Sequence, residues 1–254
     1  MSETKIFHFS VDDTIECFKD INTNNYNTIF QNPTFAWFKD LHEKFGVVIS
    51  CYVYYQDGEF ALSDCTDRYR NEFASNEEWL RFGFHTLDKK TVYDKTDIYA
   101  DYVKTMKELI RIVGSGSIDH VIRLQGFQGN SENIEDLVDS EIEPIVGLLT
   151  SDDGRDNYYL SEEQNNYIYC HDILYDDTLD INLISTDIRI EYLDSTDYKF
   201  KEFETAAWNN QLDILEIFSH EWILNVDEMN KVEEFCRFAA EHEYRSVFYE
   251  EMFL

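Results

Sequence analysis

Lys5-Ile6-Phe7-His8-Phe9-Ser10-Val11-Asp12-Asp13 is the stretch on which the fold turns. It is a short run rich in strand-forming residues, closed by two adjacent acids, and it predicts a first β-strand that delivers Asp12 and Asp13 at its end. Outward from it the theme repeats. Val47 to Tyr55, Phe82-Gly83-Phe84 ending at His85, His120 to Leu124, Ile145 to Leu149, Ile181 to Ser185 and Ile214 to Phe218 all read as strands. Amphipathic stretches separate them. A helix capped by Thr34 carries Phe35, Phe38, Leu41 and Phe45 and stops at Gly46, and a short helix starts at Ser75. A third, opened by Thr96, puts Ile98, Tyr102, Met106, Leu109, Ile110 and Val113 on one face and ends at Gly114. Further helices are predicted over Ser131 to Ser140, Tyr198 to Gln211 and Val226 to Glu243. Seven or eight strands alternating with helices is the pattern of βα units. The 254 residues match the length of one closed α/β barrel, about 250. With two prolines and no linker or repeat, the expectation is a single domain over 1–254. The Asp- and Tyr-rich Ser151 to Asp180 is expected as an elaborated loop over the barrel mouth.

A hydrophobic content of 43%, with 19 Phe and 17 Tyr, supports a real core and excludes a disordered chain. The net charge of −31 argues against nucleic acid and anionic membrane surfaces as partners, since both would repel it. It also serves solubility, or draws in a cation. Cys17, Cys51, Cys65, Cys170 and Cys236 are dispersed, odd in number and without a C-x-x-C pair, so reduced thiols are expected rather than disulfides or a zinc finger. Met1-Ser2-Glu3-Thr4-Lys5 leads straight into the first strand, and no window reaches the roughly 18 apolar residues of a span. A soluble, cytoplasmic protein is the resulting expectation.

The residues that follow the strands are Asp12-Asp13, His85, Gln125 (with Arg123 inside its strand), Ser151-Asp152-Asp153, Thr186-Asp187 and His220-Glu221. In a parallel barrel these ends share one face, where active sites are built. Acids and histidines on one rim suit a hard-metal or acid/base site. Some of the acids serve as helix caps, but capping does not account for two strand-end histidines or a paired Asp12-Asp13. His8, His42, His120, His171 and His242 are read as structural or solvated. Asp152 and Asp187 are read as caps or supports, Glu221 as a candidate ligand or orienter, and Trp222 and Tyr54 as a candidate sugar-stacking platform.

Ser10-Val11-Asp12-Asp13 resembles the Thr-Phe-Asp-Asp signature of the NodB-type polysaccharide deacetylases. His85-Thr86, the Arg123-led strand, Asp152 and Phe218-Ser219-His220 follow in that family's order, so the resemblance spans about residues 7–222. It implies a distorted (β/α)7 barrel that removes acetyl groups from N-acetylated sugars with a divalent metal, zinc first and cobalt, nickel or manganese after it. By the same resemblance Asp13 and His85 are metal ligands and Asp12 is the general base. Arg123 holds Asp12 ionised and oriented, and His220 is the general acid. The chemistry suits these residue types. A bound ion acidifies water and polarises a carbonyl, a carboxylate accepts a proton, and an imidazole returns one to nitrogen.

The sequence departs from the family at two places. Four residues after His85, where the family has a second histidine, stands Lys89, and Gly126-Phe127 replaces the Pro-Tyr that follows the arginine. His220 is then the candidate to complete the ligand set. Two rival readings stay open: a different barrel metal hydrolase using Asp13, His85 and His220, and a catalytically inactive barrel that binds a glycan or a protein without metal. An ammonium of Lys89 paired to Asp13 would favour the last.

Overall fold

The computed structural model describes residues 5–93, 97–193 and 213–253. Among them the strands in chain order are β1 (Ile6–Thr14), β2 (Ile49–Tyr54), β3 (Gln56–Asp57), β4 (Phe60–Ala61), β5 (Leu80–Thr86), β6 (Val121–Ile122), β7 (Gly147–Leu149), β8 (Ile173–Asp176), β9 (Ile181–Ile184), β10 (Ile188–Arg189), β11 (Ile214–His220) and β12 (Arg245–Ser246). The helices are α1 (Glu16–Asn24), α2 (Pro33–Phe45), α3 (Arg70–Ala74), α4 (Tyr99–Val113), α5 (Ser131–Val138), α6 (Glu162–Ile168), α7 (Val226–Glu241) and α8 (Glu250–Phe253).

One sheet runs β10-β11-β1-β2-β5, with β12 joined to the start of β1, and a second runs β6-β7-β9-β8. Within them only β8 against β9 is antiparallel. A parallel bridge from Phe82 to Ile118 links β5 to the chain entering β6. The fold is therefore mixed α/β with a parallel central sheet. Among the described residues the strand pairing falls into these two sheets, without a continuous ring. The breaks fall where β6 shrinks to two residues and where 185–187 separates β9 from β10.

Alternation along β1 explains why the site lies where it does. Successive side chains in a strand point to opposite faces. Phe7, Phe9 and Val11 are buried in the apolar core, where Phe9 meets the Trp37 ring of α2 edge-on at 6.1 Å. Phe18, Phe35, Phe73 and Phe82 form an aromatic cluster between α1, α2, α3 and β5, with centroids 5.3 to 6.3 Å apart. Each such side chain gains about 1.5–3 kcal/mol on burial. The intervening His8, Ser10 and Asp12 are equally buried but polar, and they face a hydrogen-bonded interior.

Several local expectations shift. Asn32, not Thr34, caps α2 by accepting from the Phe35 amide at 3.0 Å, because Pro33 supplies the first helical position. Ser75 ends α3 rather than starting a helix. On α4 the buried face uses Ile112 where Ile110 was expected. Thr96 and the Tyr198 to Gln211 helix lie outside the described residues. The 151–180 stretch is more than a loop: Ser161 and Gln164 form a capping box that opens α6, and β8 adds to β9.

Candidate active site

Parallel register sets Asp12 opposite His220 across β1 and β11. The pairing of β1 with β2 slips between Val11 and Thr14, and Asp13 there takes a left-handed φ of 58°. Such a bulge redirects a side chain, and Asp is among the residues that tolerate this conformation. Asp13 consequently meets His85 of β5, with Oδ1 3.2 Å from Nε2.

His85 is wholly enclosed, and its Nδ1 lies 2.5 Å from the carbonyl oxygen of Arg123. A carbonyl can only accept, so Nδ1 carries the proton, and whenever the ring is neutral Nε2 is a lone pair turned towards Asp13. Asp13 Oδ1 is itself buried and takes no hydrogen bond among the described residues. Two acceptors facing each other need a proton or a cation between them. Donor atoms about 2.0–2.2 Å from a tetrahedral ion sit roughly 3.3–3.6 Å apart, so the pair, at 3.2 Å, is close to the short end of the spacing a divalent metal needs. Burial opposes ionisation of Asp13, but His85, the charge of His220 and the Tyr54 hydroxyl together hold its carboxyl well below the usual range. Burial likewise disfavours imidazolium at His85, yet Asp13 and Asp12 outweigh it and raise its pKa.

Asp12 is held differently. Its Oδ1 accepts from Nη1 of Arg123 at 2.9 Å. That guanidinium is fully buried, and it also donates to Ser10 Oγ at 2.9 Å, Thr186 Oγ1 at 3.1 Å and Glu216 Oε1 at 3.0 Å. It lies over the Phe218 ring at 4.1 Å. Glu216 continues inwards to His8 Nδ1 at 2.6 Å, and His8 Nε2 reaches Ser50 Oγ at 2.9 Å. Asp12 is thus the outer end of a charged chain through the interior.

His220 Nδ1 is 2.5 Å from Glu191 Oε1. Burial lowers its proton affinity, but Glu191 and the nearby Asp12 and Asp13 raise it more. With Nδ1 held by Glu191, Nε2 is the ring nitrogen left for either a ligand or a proton-transfer role. Among the described residues no third His, Cys, Asp or Glu joins Asp13 and His85.

The other named residues divide clearly. Glu221 accepts from the backbone amides of Ile15, Glu16 and Cys17, each at 2.7 Å, and so caps α1 from a distance at the wall of the cavity beside Asp13. Lys89 is exposed and pairs with Asp57 at 3.0 Å, not with Asp13. Trp222 is 67% exposed and donates Nε1–H to Asp13 Oδ2 at 2.8 Å, and the Tyr54 hydroxyl donates to Gln125 at 2.8 Å. Asp152 pairs with Arg189 at 3.3 Å, and Asp187 accepts the Glu216 amide at 2.7 Å. A cavity of about 290 Å³ opens beside Asp13, Tyr54, Lys89 and Trp222. A second, of about 130 Å³, is lined by Asp12, His85, Arg123 and His220. Sequence reasoning missed Glu191, Glu216 and Arg189. The signal for two of them is the alternation Ile188-Arg189-Ile190-Glu191 just beyond the strand read as ending at Ser185, which forms the two-residue β10 and the start of a 3-10 turn.

No family model and no curated protein matches the chain. Solved structures do match. A protein assigned to the polysaccharide deacetylases of Mycobacterium smegmatis superposes with a TM-score of 0.57 at 10% identity, over 99% of this chain and 90% of that one. A family 4 acetyl xylan esterase from Clostridium thermocellum, in complex with a cobalt ion, gives 0.54 at 12% identity, over 98% and 90%. The Xyl-CE4 domain of a multidomain xylanase from the hindgut metagenome of Trinervitermes trinervoides gives 0.52 at 10%, over 99% and 92%. The chain has the fold of the NodB-type polysaccharide deacetylases. At these identities the likeness speaks for the fold, and the chemistry rests on the side chains.

Proposed function

We propose that the chain is a metal-dependent hydrolase that removes an acetyl group from an N-acetylated sugar or glycan intermediate. The observation that carries this reading is the Asp13–His85 pair. A buried carboxylate and a buried imidazole face each other beside an arginine-clamped acid and a carboxylate-held histidine, all at one strand-end face. Asp13 and His85 would hold a divalent ion, zinc or else cobalt, nickel or manganese. When bound there, such an ion would polarise the acyl carbonyl and acidify water. Asp12, kept oriented by Arg123, accepts the proton of the attacking water. His220, kept in one tautomer by Glu191, donates a proton to the leaving nitrogen. General acid and general base steps of this kind each contribute about 10²–10⁴-fold. The exposed Trp222 offers its indole face to a sugar ring beside Asp13.

In the same reading the two sheets are arcs of one distorted (β/α)7 barrel forming a single domain over 1–254. Supporting it, the chain from β9 to β10 pairs with β7 at one end and with β11 at the other. A cytoplasmic setting accords with five free cysteines, and no described helix is long and apolar enough to cross a membrane. The inactive-barrel alternative gains no support from a Lys89–Asp13 pair, since Lys89 pairs with Asp57.

The test is elemental analysis joined to an acetate-release assay on the wild type, Asp13→Asn, His85→Gln, Asp12→Asn and His220→Asn. Asparagine at position 13 keeps the tolerance for positive φ while removing the charge. Near one equivalent of metal, lost in the first two variants and kept in the last two, is expected, with acetate release lost in all four. No metal in any form after incubation with excess ion would sink the proposal.

A further inference from the structure

The smaller cavity, which carries Asp12, His85 and His220, is also lined by Arg123, Arg155 and Arg189. That is a dense cation cluster for a chain with 21 Lys+Arg against 52 Asp+Glu. Every one of these arginines has acidic partners: Asp12 and Glu216 for Arg123, Asp153 for Arg155, and Asp152 for Arg189. Only Asp12 among those acids lines the cavity. The three arginines thus belong to the cavity wall, whereas Glu216, Asp152 and Asp153 do not.

Arg189 is the most telling of the three. Its side chain is 10% exposed, and Nη1 reaches the Tyr192 hydroxyl at 3.1 Å while Nη2 reaches Asp152 at a long 3.3 Å. Its buried Nε–H has no acceptor among the described residues. The guanidinium is flanked by the rings of Tyr192 at 4.8 Å and Phe218 at 5.0 Å, which fix its plane. Arg155 lies 5.6 Å from the Phe127 ring. A buried donor without an acceptor is costly, and a planar guanidinium matches the paired oxygens of a carboxylate or phosphate. In a chain of net charge −31, which repels anions at a distance, such a cluster acts at short range.

Resting on the deacetylase reading, the geometry points to an anionic subsite. Arg189 and Arg155 hold a phosphate or carboxylate of the substrate beside the reacting carbonyl, so the substrate class is an anionic N-acetylated sugar and not a neutral glycan.

Calorimetry with inorganic phosphate and with acetate, on the wild type, Arg189→Gln and Asp152→Asn, reads the subsite without turnover. Phosphate or acetate should bind the wild type. Affinity should fall at least tenfold in Arg189→Gln and rise severalfold in Asp152→Asn, where the arginine loses its competitor. Preference between the two anions distinguishes a phosphosugar from a sugar acid. If Arg189→Gln does not fold, the rise in Asp152→Asn still decides. Equal affinity in all three proteins would overturn the subsite. Acetate release from N-acetylglucosamine as fast as from its 1-phosphate and from N-acetylneuraminate would overturn it too, while leaving the deacetylase reading intact. Arginine-dependent binding with no release from any of these sugars would support the subsite and count against the activity.

Discussion

Replacing Arg123 by Met tests the polar interior most sharply. The buried guanidinium donates to Ser10, Asp12, Thr186 and Glu216. Met keeps an unbranched stem of similar reach and loses every donor and the charge. Two buried carboxylates are then left without their counter-charge, and removing one partner of a buried pair costs about 3–5 kcal/mol. At about 2–4 °C per kcal/mol for a chain near this size, Tm should fall by roughly 6–20 °C. A second substitution separates charge from packing. Glu216→Gln alone weakens contacts to Arg123 and His8 and is destabilising. Combined with Arg123→Met it removes one of the two stranded charges, so the double variant should be more stable than Arg123→Met by about 1–3 kcal/mol. Urea and thermal unfolding followed by circular dichroism on the four proteins closes the cycle. A loss under about 1 kcal/mol for Arg123→Met, or strict additivity in the double variant, would refute the claim that charge balance holds this interior together.

Glu191→Gln removes the carboxylate that lifts the proton affinity of His220 against burial. The acid form should then be lost at lower pH, moving the alkaline limb of kcat downwards, whereas a purely structural Glu191 would leave that limb in place. His120 sits between Glu250, at 2.5 Å, and Glu143, at 2.9 Å. The Glu250 hydrogen bond, assisted by Glu143 and opposed by burial, raises its pKa from 6.5 to about 9. A raised pKa gives stability that is complete below 6.5 and lost as pH rises through about 9. At 1.36 kcal/mol per unit the gap is worth about 3 kcal/mol. The difference between wild type and His120→Gln, measured by urea unfolding, should be full at pH 6 and nearly gone at pH 10, and a difference independent of pH would refute it. Lys89→Ala should leave metal content unchanged and kcat/KM within about twofold, because its ammonium serves Asp57 and not Asp13. Abolished activity would show that the cation belongs to the site.

Legibility in the sequence followed the range of the forces involved. Strands β1, β2, β5 and β11 declare themselves, since each is a run of apolar and β-branched residues whose partners need only be similar runs. Helix α1 does not. Its N-terminal position is Ile15, which has no capping side chain, and its first amides are satisfied by Glu221, about two hundred residues away. No local pattern could announce that helix or release Glu221 from the list of candidate ligands. Asp12, Asp13, His85, Arg123 and His220 were found because they sit at strand ends or match a motif. Glu216 was missed for the opposite reason. It lies inside an apolar strand, where a carboxylate makes sense only once Arg123 and His8 are known to face it. Arg189 and Glu191 lie beyond a three-residue break after β9, in a two-residue strand and the short turn that follows it, too brief to declare themselves.

The two adjacent acids show how little backbone separates structure from chemistry here. In an unbroken strand Asp12 and Asp13 would point to opposite faces, one to the polar interior and the other to the helix layer. The left-handed residue at position 13 cancels that alternation, so Asp12 meets Arg123 while Asp13 meets His85 near the same strand end. A non-glycine residue in this conformation costs about 1–2 kcal/mol. The strain is held by the parallel pairing of β1 on both sides and by the Trp222 indole on Oδ2. The same twist divides the surroundings. Asp12 has its charge matched by a buried guanidinium, whereas Asp13 turns a buried oxygen towards Nε2 of His85 at 3.2 Å. An acid whose needs are met serves as a base of fixed orientation. Under the proposed reading the first acid is the base and the second the ligand, and one reversed φ angle makes the difference between the two.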